Sequence, residues 1–256
     1  MDNITLAPDG FQRQVLVFNN QLPGPTIEAN WGDEVIIHVQ NNLRDNGYLS
    51  YQGSLTRRTS IHWHGILQNM NNANDGVPGV TQCISSPEHS LTLGPMPPGQ
   101  SFTYRFRATS YGHSWYHSHF SLQYTDGLVG PIVINGPSSA NWDIDLGPVT
   151  ITDWFHTPAF TEYFTQRIFG AAPGPADNGL INGKNMLNGS GSYSEFTFVP
   201  GKKHRIRLIN TSTNTHFKFW IDQHTMTVQA ADFIAIQPYE TEVLNIAIGI
   251  TDICLH

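Results

Sequence analysis

Residues 109–124 read TSYGHSWYHSHFSLQY and are followed closely by an apolar run, GLVGPIVING, at residues 127–136. Similar short runs bounded by turn residues recur along the chain, as in DEVIIHVQN (33–41) and SFTYRFRA (101–108). In these two runs hydrophobic residues alternate with polar ones, except that Ile36 stands at a polar position. This alternation has the period of a half-buried β-strand. Helical periodicity is weak, and only PAFTEYFTQRIF (158–169) predicts a helical turn or two. We therefore predict an all-β chain.

The histidines form two H-x-H triplets, IHWHG with His62 and His64 and YHSHF with His117 and His119. Along a strand, side chains at i and i+2 lie on one face, roughly 6.5 to 7 Å apart. That separation is wide for one small ion but suits two imidazoles that reach into a cluster of several ions. Neutral imidazole is a preferred ligand of copper, zinc and iron, and aromatic neighbours exclude water and hold the rings.

Chance also produces such triplets. In a chain of 256 residues with 12 histidines, about 0.6 H-x-H triplets are expected at random, so a single triplet is uninformative. Two triplets, each with an aromatic residue and each on a predicted strand, favour metal binding. The spacing alone leaves ordinary core or surface histidines as the alternative.

Two segments of the chain share a pattern. GDEVIIHVQN (32–41) and GKKHRIRLIN (201–210) each begin with a turn glycine, place aliphatic residues five and seven positions later and reach asparagine nine positions later. A duplicated β-sandwich would explain this repeat, and the turn-rich stretch 135–148 marks the boundary. We expect a first domain that carries both H-x-H motifs, a linker and a second domain, at residues 1–137, 138–148 and 149–256.

Composition excludes several classes of partner. The charged fraction of 13% is about half of the usual ~25% for globular proteins. A formal charge of −7 and a pI near 5.9 argue against nucleic acid and against an anionic membrane surface. No run of about 18 apolar residues occurs, so we predict no membrane span. The first residues, MDNITLAPDG, do not have the pattern of a signal peptide.

Several longer motifs together closely resemble the first part of ascomycete-type laccases, which are multicopper oxidases. The resemblance covers nearly the whole chain up to about Gly249 and implies tandem cupredoxin-like Greek-key β-sandwiches, the second of them incomplete. It is carried by PGPTIEANWGDEV, TSIHWHGILQ, DGVPGVTQC, PGQSFTYRFRA, YGHSWYHSHFSLQYTDGLVGPIVINGP, DIDLGPVTITDW, LINGKN, PGKKHRIRLINTS and HTMTVQAADF.

The resemblance implies a role for each of five residues. His62 matches a ligand of the type 2 copper, whereas His64, His117 and His119 match ligands of the type 3 copper pair. Asp75, in NDGVPG, matches an acidic residue that delivers protons during oxygen reduction. An ordinary turn aspartate before a glycine is an equally open interpretation of Asp75.

The remaining histidines are not predicted ligands. His113 precedes the second triplet by four residues, where the family more often has a small polar residue, so we expect it beside the ligands or in solvent. The others lack paired spacing and are interpreted as ordinary core or surface residues: His38, His89, His156, His204, His216 and His224.

Laccases take single electrons from phenols at a type 1 copper, which is held by one cysteine and two histidines, and reduce dioxygen to water at a three-copper cluster. The resemblance therefore implies copper as cofactor, phenolic small molecules and dioxygen as the partners of the complete enzyme, and a secreted, extracellular glycoprotein. Three N-x-S/T sequons, at Asn3, Asn188 and Asn210, are consistent with glycosylation.

The sequence departs from the laccase pattern in its metal ligands. Four of the eight cluster histidines are present, but the H-P-x-H-x-H-G and H-C-H motifs of a third domain are not. We therefore expect half-formed type 2 and type 3 sites, no type 1 site, and a truncated chain that is inactive in isolation. Cys254 and His256 resemble H-C-H only superficially, and they lie in an atypical tail, ITDICLH (250–256).

Other departures concern cysteine and folding. Residues 84–95, ISSPEHSLTLGP, are longer than the corresponding family segment, and Cys83, which the family pairs with a distant cysteine, is expected here as a free thiol. An incomplete second sandwich would expose apolar edges and favour self-association.

Two alternative functions remain open from the sequence. The first is a non-catalytic copper-binding or interaction module derived from a laccase. The second, without reference to the family, is hydrolytic zinc or dismutase chemistry. We rank this second alternative last, because only Asp75 could supply the acidic group that it needs.

Overall fold

The computed structural model describes residues 1–44, 58–82, 95–170 and 174–249, and the backbone of residues 251–255. Cys83, His89, His256 and most of the departing segment 84–95 lie outside the described residues. The prediction of an all-β chain is confirmed, because strands dominate and the single α-helix of the described residues, α1 (Ala159–Phe169), lies in the stretch that predicted it. Among these residues no helix is long and apolar enough to cross a membrane.

The strands of the first half are short, as expected for a chain with many turn residues. They are β1 (Asp2–Leu6), β2 (Arg13–Val17), β3 (Ile27–Asn30), β4 (Glu34–Gln40), β5 (Ile61–Trp63), β6 (Ser101–Arg107), β7 (Gly112–Ser118) and β8 (Val129–Asn135). Two 3-10 turns, at Asn72–Asn74 and Gln123–Asp126, lie between them.

The first half forms a β-sandwich. One sheet has the order β3-β8-β7-β5, and the other pairs β4 with β6. The alternation predicted from the sequence is present in the second sheet, where Val35 and Val39 on β4 and Tyr104 and Phe106 on β6 are buried. They pack with Trp63 and other residues of the first sheet in one hydrophobic core.

The second half also forms a sandwich, with strands β9 (Ile144–Trp154), β10 (Asn178–Ile181), β11 (Met186–Leu187), β12 (Ser190–Gly191), β13 (His204–Asn210), β14 (Phe217–Phe219), β15 (Met226–Ala231), β16 (Ile234–Thr241), β17 (Leu244–Ile246) and β18 (Thr251–Leu255). A sheet of order β10-β9-β13-β18-β15-β16 packs against the β14–β17 pair around Leu208, Met226 and Leu244.

Two features of the second sandwich bear on the predicted boundaries. β9 begins at Ile144, so the end of the predicted linker lies in a strand that pairs with β13. Within the tail, the backbone of residues 251–255 forms β18, which pairs with both β13 and β15. The tail therefore completes hydrogen bonding between two strands rather than projecting from the sheet.

The β1–β2 hairpin belongs to the first half of the chain but packs against the second sandwich. Val15 and Val17 of β2 share a small hydrophobic cluster with Trp154 and Leu180. Trp115, Val129 and Ile209 form another cluster between the two sandwiches. These contacts bring the second sandwich against the strand that carries the second H-x-H motif.

Candidate metal centre

The two H-x-H motifs lie on neighbouring antiparallel strands, β5 and β7. His62 and His117 are direct partners in this ladder. The ladder continues past both ends of β5, because His64 N–H donates to the Trp115 carbonyl and His119 N–H donates to the Ser60 carbonyl, each at 3.0 Å. Since side chains at i and i+2 share a face, this register directs all four imidazoles to the same side of the sheet.

The four rings converge. Ring centroids are 5.4 Å apart for His62 and His117 and 5.4 Å for His62 and His119. Within each triplet the centroids are 5.9 Å apart, and His64 and His117 are also separated by 5.9 Å. One nitrogen from each of His62, His64 and His117 lies within 4.8 Å of the other two.

Hydrogen bonds fix the orientation of two of these rings. Nδ1 of His62 lies 2.7 Å from the Asp75 carbonyl oxygen, and Nδ1 of His117 lies 2.9 Å from the Ser118 carbonyl oxygen. A carbonyl can only accept, so in each ring Nδ1 carries the proton and donates. The lone pair of Nε2 is then free to bind a metal ion, which is how a hydrogen bond to the second nitrogen orients a ligating histidine.

The electrostatic environment keeps the rings of His117 and His64 neutral. Burial lowers the pKa of His117 to about 3. Burial, and after it the neighbouring His62, lower the pKa of His64 below its ordinary 6.5. A metal ion binds only the unprotonated nitrogen, so both rings are ready to act as ligands at neutral pH.

Trp115 forms one wall of the site, and this role was not predicted from the sequence. Its ring stacks on His117 at 4.2 Å between centroids and on His64 at 5.1 Å. It is 4% exposed and therefore keeps water from one side of both rings. The signal that could have found it is local, because Trp115 stands two residues before His117 and so lies on the same face of β7.

Asp75 lies where the resemblance predicted an acidic residue, beside the ring of His62. Its Oδ1 is 3.3 Å from Nδ1 of His62, and the side chain is 27% exposed. The next residue, Gly76, has φ of 82°, and a Cβ there would overlap the Ile61 carbonyl oxygen. Only glycine therefore lets this loop approach β5 closely enough for the Asp75 carbonyl to reach His62.

The second sandwich also contacts the site. A Cβ on Gly249 would lie 3.4 Å from Cε1 of His64, and the negative charge of Asp232 partly opposes the lowering of the His64 pKa. Sequence reasoning missed both residues, and no local pattern identifies them. Their proximity arises only from the packing of the two sandwiches.

The other histidines of the described residues lie outside this cluster. His113 is buried on β7, and its Nε2 lies 3.1 Å from the Leu208 carbonyl oxygen of β13. His156 bonds to Asp9, and Nε2 of His204 accepts the Val199 amide. The prediction that His113 does not ligate is consistent with this contact to the second sandwich.

The donor set fits copper. Imidazole nitrogen is among the ligands that copper prefers, and the nitrogens of three histidines lie close enough together to approach shared ions. Two of the rings have their second nitrogen held by a carbonyl, as expected for oriented ligands.

Comparison with known proteins identifies the class. Two family profiles, both described as multicopper oxidase, match residues 1–139 and residues 145–252. The chain therefore belongs to the multicopper oxidase family, whose cofactor is copper. The expectation of a cupredoxin-like all-β fold with more than one sandwich is likewise confirmed.

Within this family the chain is similar to fungal laccases. It is 46% identical over 259 residues to Laccase-2 of Botryotinia fuckeliana, covering 97% of this chain and 40% of that protein. It is 48% identical over 257 residues to dihydrogeodin oxidase of Aspergillus terreus, covering 96% of this chain and 39% of that protein. The crystal structure of the laccase from Botrytis aclada matches with a TM-score of 0.87 at 45% identity, over 99% of this chain and 45% of that one. The chain thus spans about 40% of the length of its curated relatives.

Proposed function

We propose that this chain supplies half of the histidine ligands of a three-copper cluster in a laccase-type multicopper oxidase. The observation that carries the proposal is the convergence of four imidazoles from β5 and β7 on one face of the sheet. The complete enzyme would oxidise four phenol molecules by one electron each and reduce one dioxygen to two molecules of water. Bound copper would supply the one-electron redox chemistry for this reaction.

We assign His62 to the type 2 copper and His64, His117 and His119 to the type 3 pair. His62 is central, since its ring lies within 5.4 to 5.9 Å of each of the other three. The four remaining cluster ligands and the type 1 site are assigned to the part of the complete protein that lies beyond these 256 residues. This assignment is supported by the share of the relatives that the chain covers, about 40%.

Asp75 is proposed to move protons to the site. Reduction of dioxygen to water consumes four protons, and these must reach a region partly shielded by Trp115. The Asp75 carboxylate both contacts Nδ1 of His62 and remains partly exposed to solvent. It can therefore take up a proton from water and pass it towards the buried side, as a general acid and base must.

The domain division and the location of the protein are also proposals. The two sandwiches and the two family matches support a division close to residues 138–148. We infer a secreted glycoprotein, with Asn188 as the glycan site, since this sequon is exposed in the β11–β12 turn. Asn210 is fully buried, and its Nδ2 donates to the carbonyls of Thr215 and Ile246. A glycan at Asn210 is therefore incompatible with this fold.

Copper titration tests the assignment of the ligands. The 256-residue chain should take up Cu²⁺ with nitrogen hyperfine structure in its electron paramagnetic resonance spectrum and without intense blue absorption. His64→Ala/His119→Ala should abolish this uptake. The matched control is His38→Ala/His224→Ala, which removes two exposed histidines away from the cluster and should bind as the parent chain does.

Two results would contradict the proposal. Unchanged copper uptake by His64→Ala/His119→Ala would remove these rings as ligands. Phenol oxidation by the 256-residue chain would show that the cluster needs no further ligands. Stable copper binding together with failure to complement the rest of a laccase would instead favour a non-catalytic module.

A further inference from the structure

Ser118 lies between two histidines of the cluster, on the opposite face of the strand. Its hydroxyl donates a hydrogen bond to Oε1 of Gln123 at 2.7 Å. The two residues are 0% and 4% exposed. Nε2 of Gln123 donates to the Arg58 carbonyl at 2.8 Å. One buried amide therefore joins the end of β7 to the segment that leads into β5.

The backbone of Ser118 supports the ring of His117 directly. Its carbonyl accepts the proton of Nδ1 of His117, and its N–H donates to the Leu128 carbonyl at 3.0 Å. Its hydroxyl oxygen also accepts the Phe120 amide at 3.2 Å. A rotation of Ser118 would therefore move the carbonyl that holds His117 and change the direction in which the chain continues to His119.

Gln123 is itself anchored. It begins the 3-10 turn Gln123–Asp126, and at the other end of this turn the Asp126 carboxylate accepts from Nη1 of Arg13 at 2.9 Å. The same carboxylate accepts the Ala159 amide at the start of α1, at 3.2 Å. Because both partners of Asp126 are buried, the turn cannot easily shift to follow a movement of Ser118.

We propose that Gln123 is a positioning residue of the metal site, which holds the rings of His117 and His119 in their metal-binding orientation through Ser118. The inference rests on the proposed function of these histidines. An amide suits the position because it offers an acceptor to Ser118 and a donor to Arg58 at the same time. Ligands held within narrow limits of position need such support from the residues behind them.

Gln123→Met tests the proposal, since methionine fills a similar volume but neither accepts from Ser118 nor donates to Arg58. Its matched control is Gln229→Met in the second sandwich. Gln229 is 1% exposed, and its Oε1 also accepts a serine hydroxyl, that of Ser138, at 2.7 Å. Gln123→Met should weaken Cu²⁺ binding by about 10- to 100-fold, and Gln229→Met should leave it within about twofold of the parent chain.

A conservative pair of variants at Ser118 supplies a second test. Ser118→Ala removes the hydroxyl and should weaken Cu²⁺ binding as Gln123→Met does. Ser118→Thr keeps the hydroxyl and should restore most of the affinity. If Gln123→Met fails to fold, this pair decides the question. Equal affinities for Ser118→Ala and Ser118→Thr would overturn the proposal, and so would equal losses in Gln123→Met and Gln229→Met.

Imidazole ¹⁵N nuclear magnetic resonance of the metal-free chain, at one fixed pH, separates this inference from the proposed function. In the parent chain His117 should give the signals of a single tautomer that is protonated at Nδ1. Gln123→Met should shift or broaden the ring signals of His117 and His119, whereas Gln229→Met should not. Unchanged ring signals in Gln123→Met would overturn the inference even if copper binds. A parent chain with the expected ring signals but no copper uptake would contradict the proposed function alone.

Discussion

Trp115 stacks on His117, with ring centroids 4.2 Å apart and ring planes inclined by 30°. The two residues stand at i and i+2 on β7, so a single strand supplies both a candidate ligand and the wall that supports it. The same indole reaches His64 of the neighbouring motif. Stacking therefore couples the two H-x-H motifs through one side chain.

This coupling predicts different effects for two replacements of Trp115. Trp115→Leu removes both stacks and leaves space beside His64 and His117, so we expect a loss of about 3 kcal/mol of unfolding free energy and weaker copper binding. Trp115→Phe keeps a ring in place and loses no hydrogen bond, because the indole nitrogen has no partner among the described residues. It should bind copper nearly as the parent chain does. Urea unfolding and copper titration measure both effects, and equal copper affinities for the two variants would contradict this role.

Gly76 is predicted to be the critical glycine of the loop that carries Asp75. Gly76→Ala places a Cβ against the Ile61 carbonyl oxygen in a residue with positive φ, so we expect a loss of about 3 kcal/mol or more. Gly79 in the same loop also has positive φ, but nothing lies within 4 Å of its Cβ position. Gly79→Ala should therefore cost only about 1 kcal/mol. Thermal and urea unfolding compare the stabilities of Gly76→Ala and Gly79→Ala. Similar losses of unfolding free energy would show that the loop does not contact β5 closely at Gly76.

The buried ion pair between Arg13 and Asp126 is expected to stabilise the junction of the sandwiches. Their side chains are 5% and 2% exposed, and the Arg13 guanidinium lies 4.0 Å from the centroid of the Trp154 ring. Asp126→Ala would leave a buried cation without its partner, at a cost of about 3–5 kcal/mol. The double variant Arg13→Met/Asp126→Leu should recover part of this loss, since it leaves no buried charge.

An exposed pair provides the control for that measurement. Lys202 and Asp143 lie 3.5 Å apart with half-exposed side chains, so Lys202→Ala, which keeps the hydrogen bond from the Lys203 amide to Asp143, should leave the unfolding midpoint nearly unchanged. A midpoint for Asp126→Ala as high as that for Lys202→Ala would contradict the importance of the buried pair.

Acid stability should depend on Asp9, which is fully buried at the turn of the β1–β2 hairpin. Burial alone would raise the pKa of Asp9, but hydrogen bonds from His156, the Phe11 amide and Asn178 outweigh it and lower the pKa below 3.8. Because the pKa of Asp9 is lower in the folded state than in the unfolded chain, its ionised carboxylate stabilises the fold at pH values above the pKa of the unfolded chain. This stabilisation is lost as the pH falls through the pKa of the folded state.

The comparison of Asp9→Asn with the parent chain measures this effect. The difference in their unfolding free energies should be constant above about pH 5 and should shrink as the pH falls through 4 and below. His156→Phe, which removes one of the hydrogen bonds to Asp9, should weaken the same pH dependence. A difference that does not change between pH 5 and pH 2 would show that Asp9 does not titrate in the way described.

The all-β class and the candidate ligands could be predicted from the residues because both depend on local geometry, whereas the cupredoxin-like sandwiches were implied only by the resemblance to laccases. Alternation in β4 and β6 fixes which residues are buried, and the H-x-H spacing fixes which imidazoles share a face. The helical stretch was also found from its own residues. The same reasoning could have identified Trp115, because it stands two residues before His117 and lies on the same face of β7.

Contacts between distant parts of the chain were decided only by the tertiary structure. Three such contacts do not follow from composition or spacing. They are the pairing of His62 with His117, the approach of Gly249 to His64 and the hydrogen bond between Ser118 and Gln123. Each contact depends on the register in which the strands pair and on the packing of the two sandwiches. Sequence alone therefore determined which side chains could bind a metal ion, because side-chain direction along a strand is a local property. Only the folded chain determined that they meet, because convergence depends on packing between segments that are far apart in the sequence.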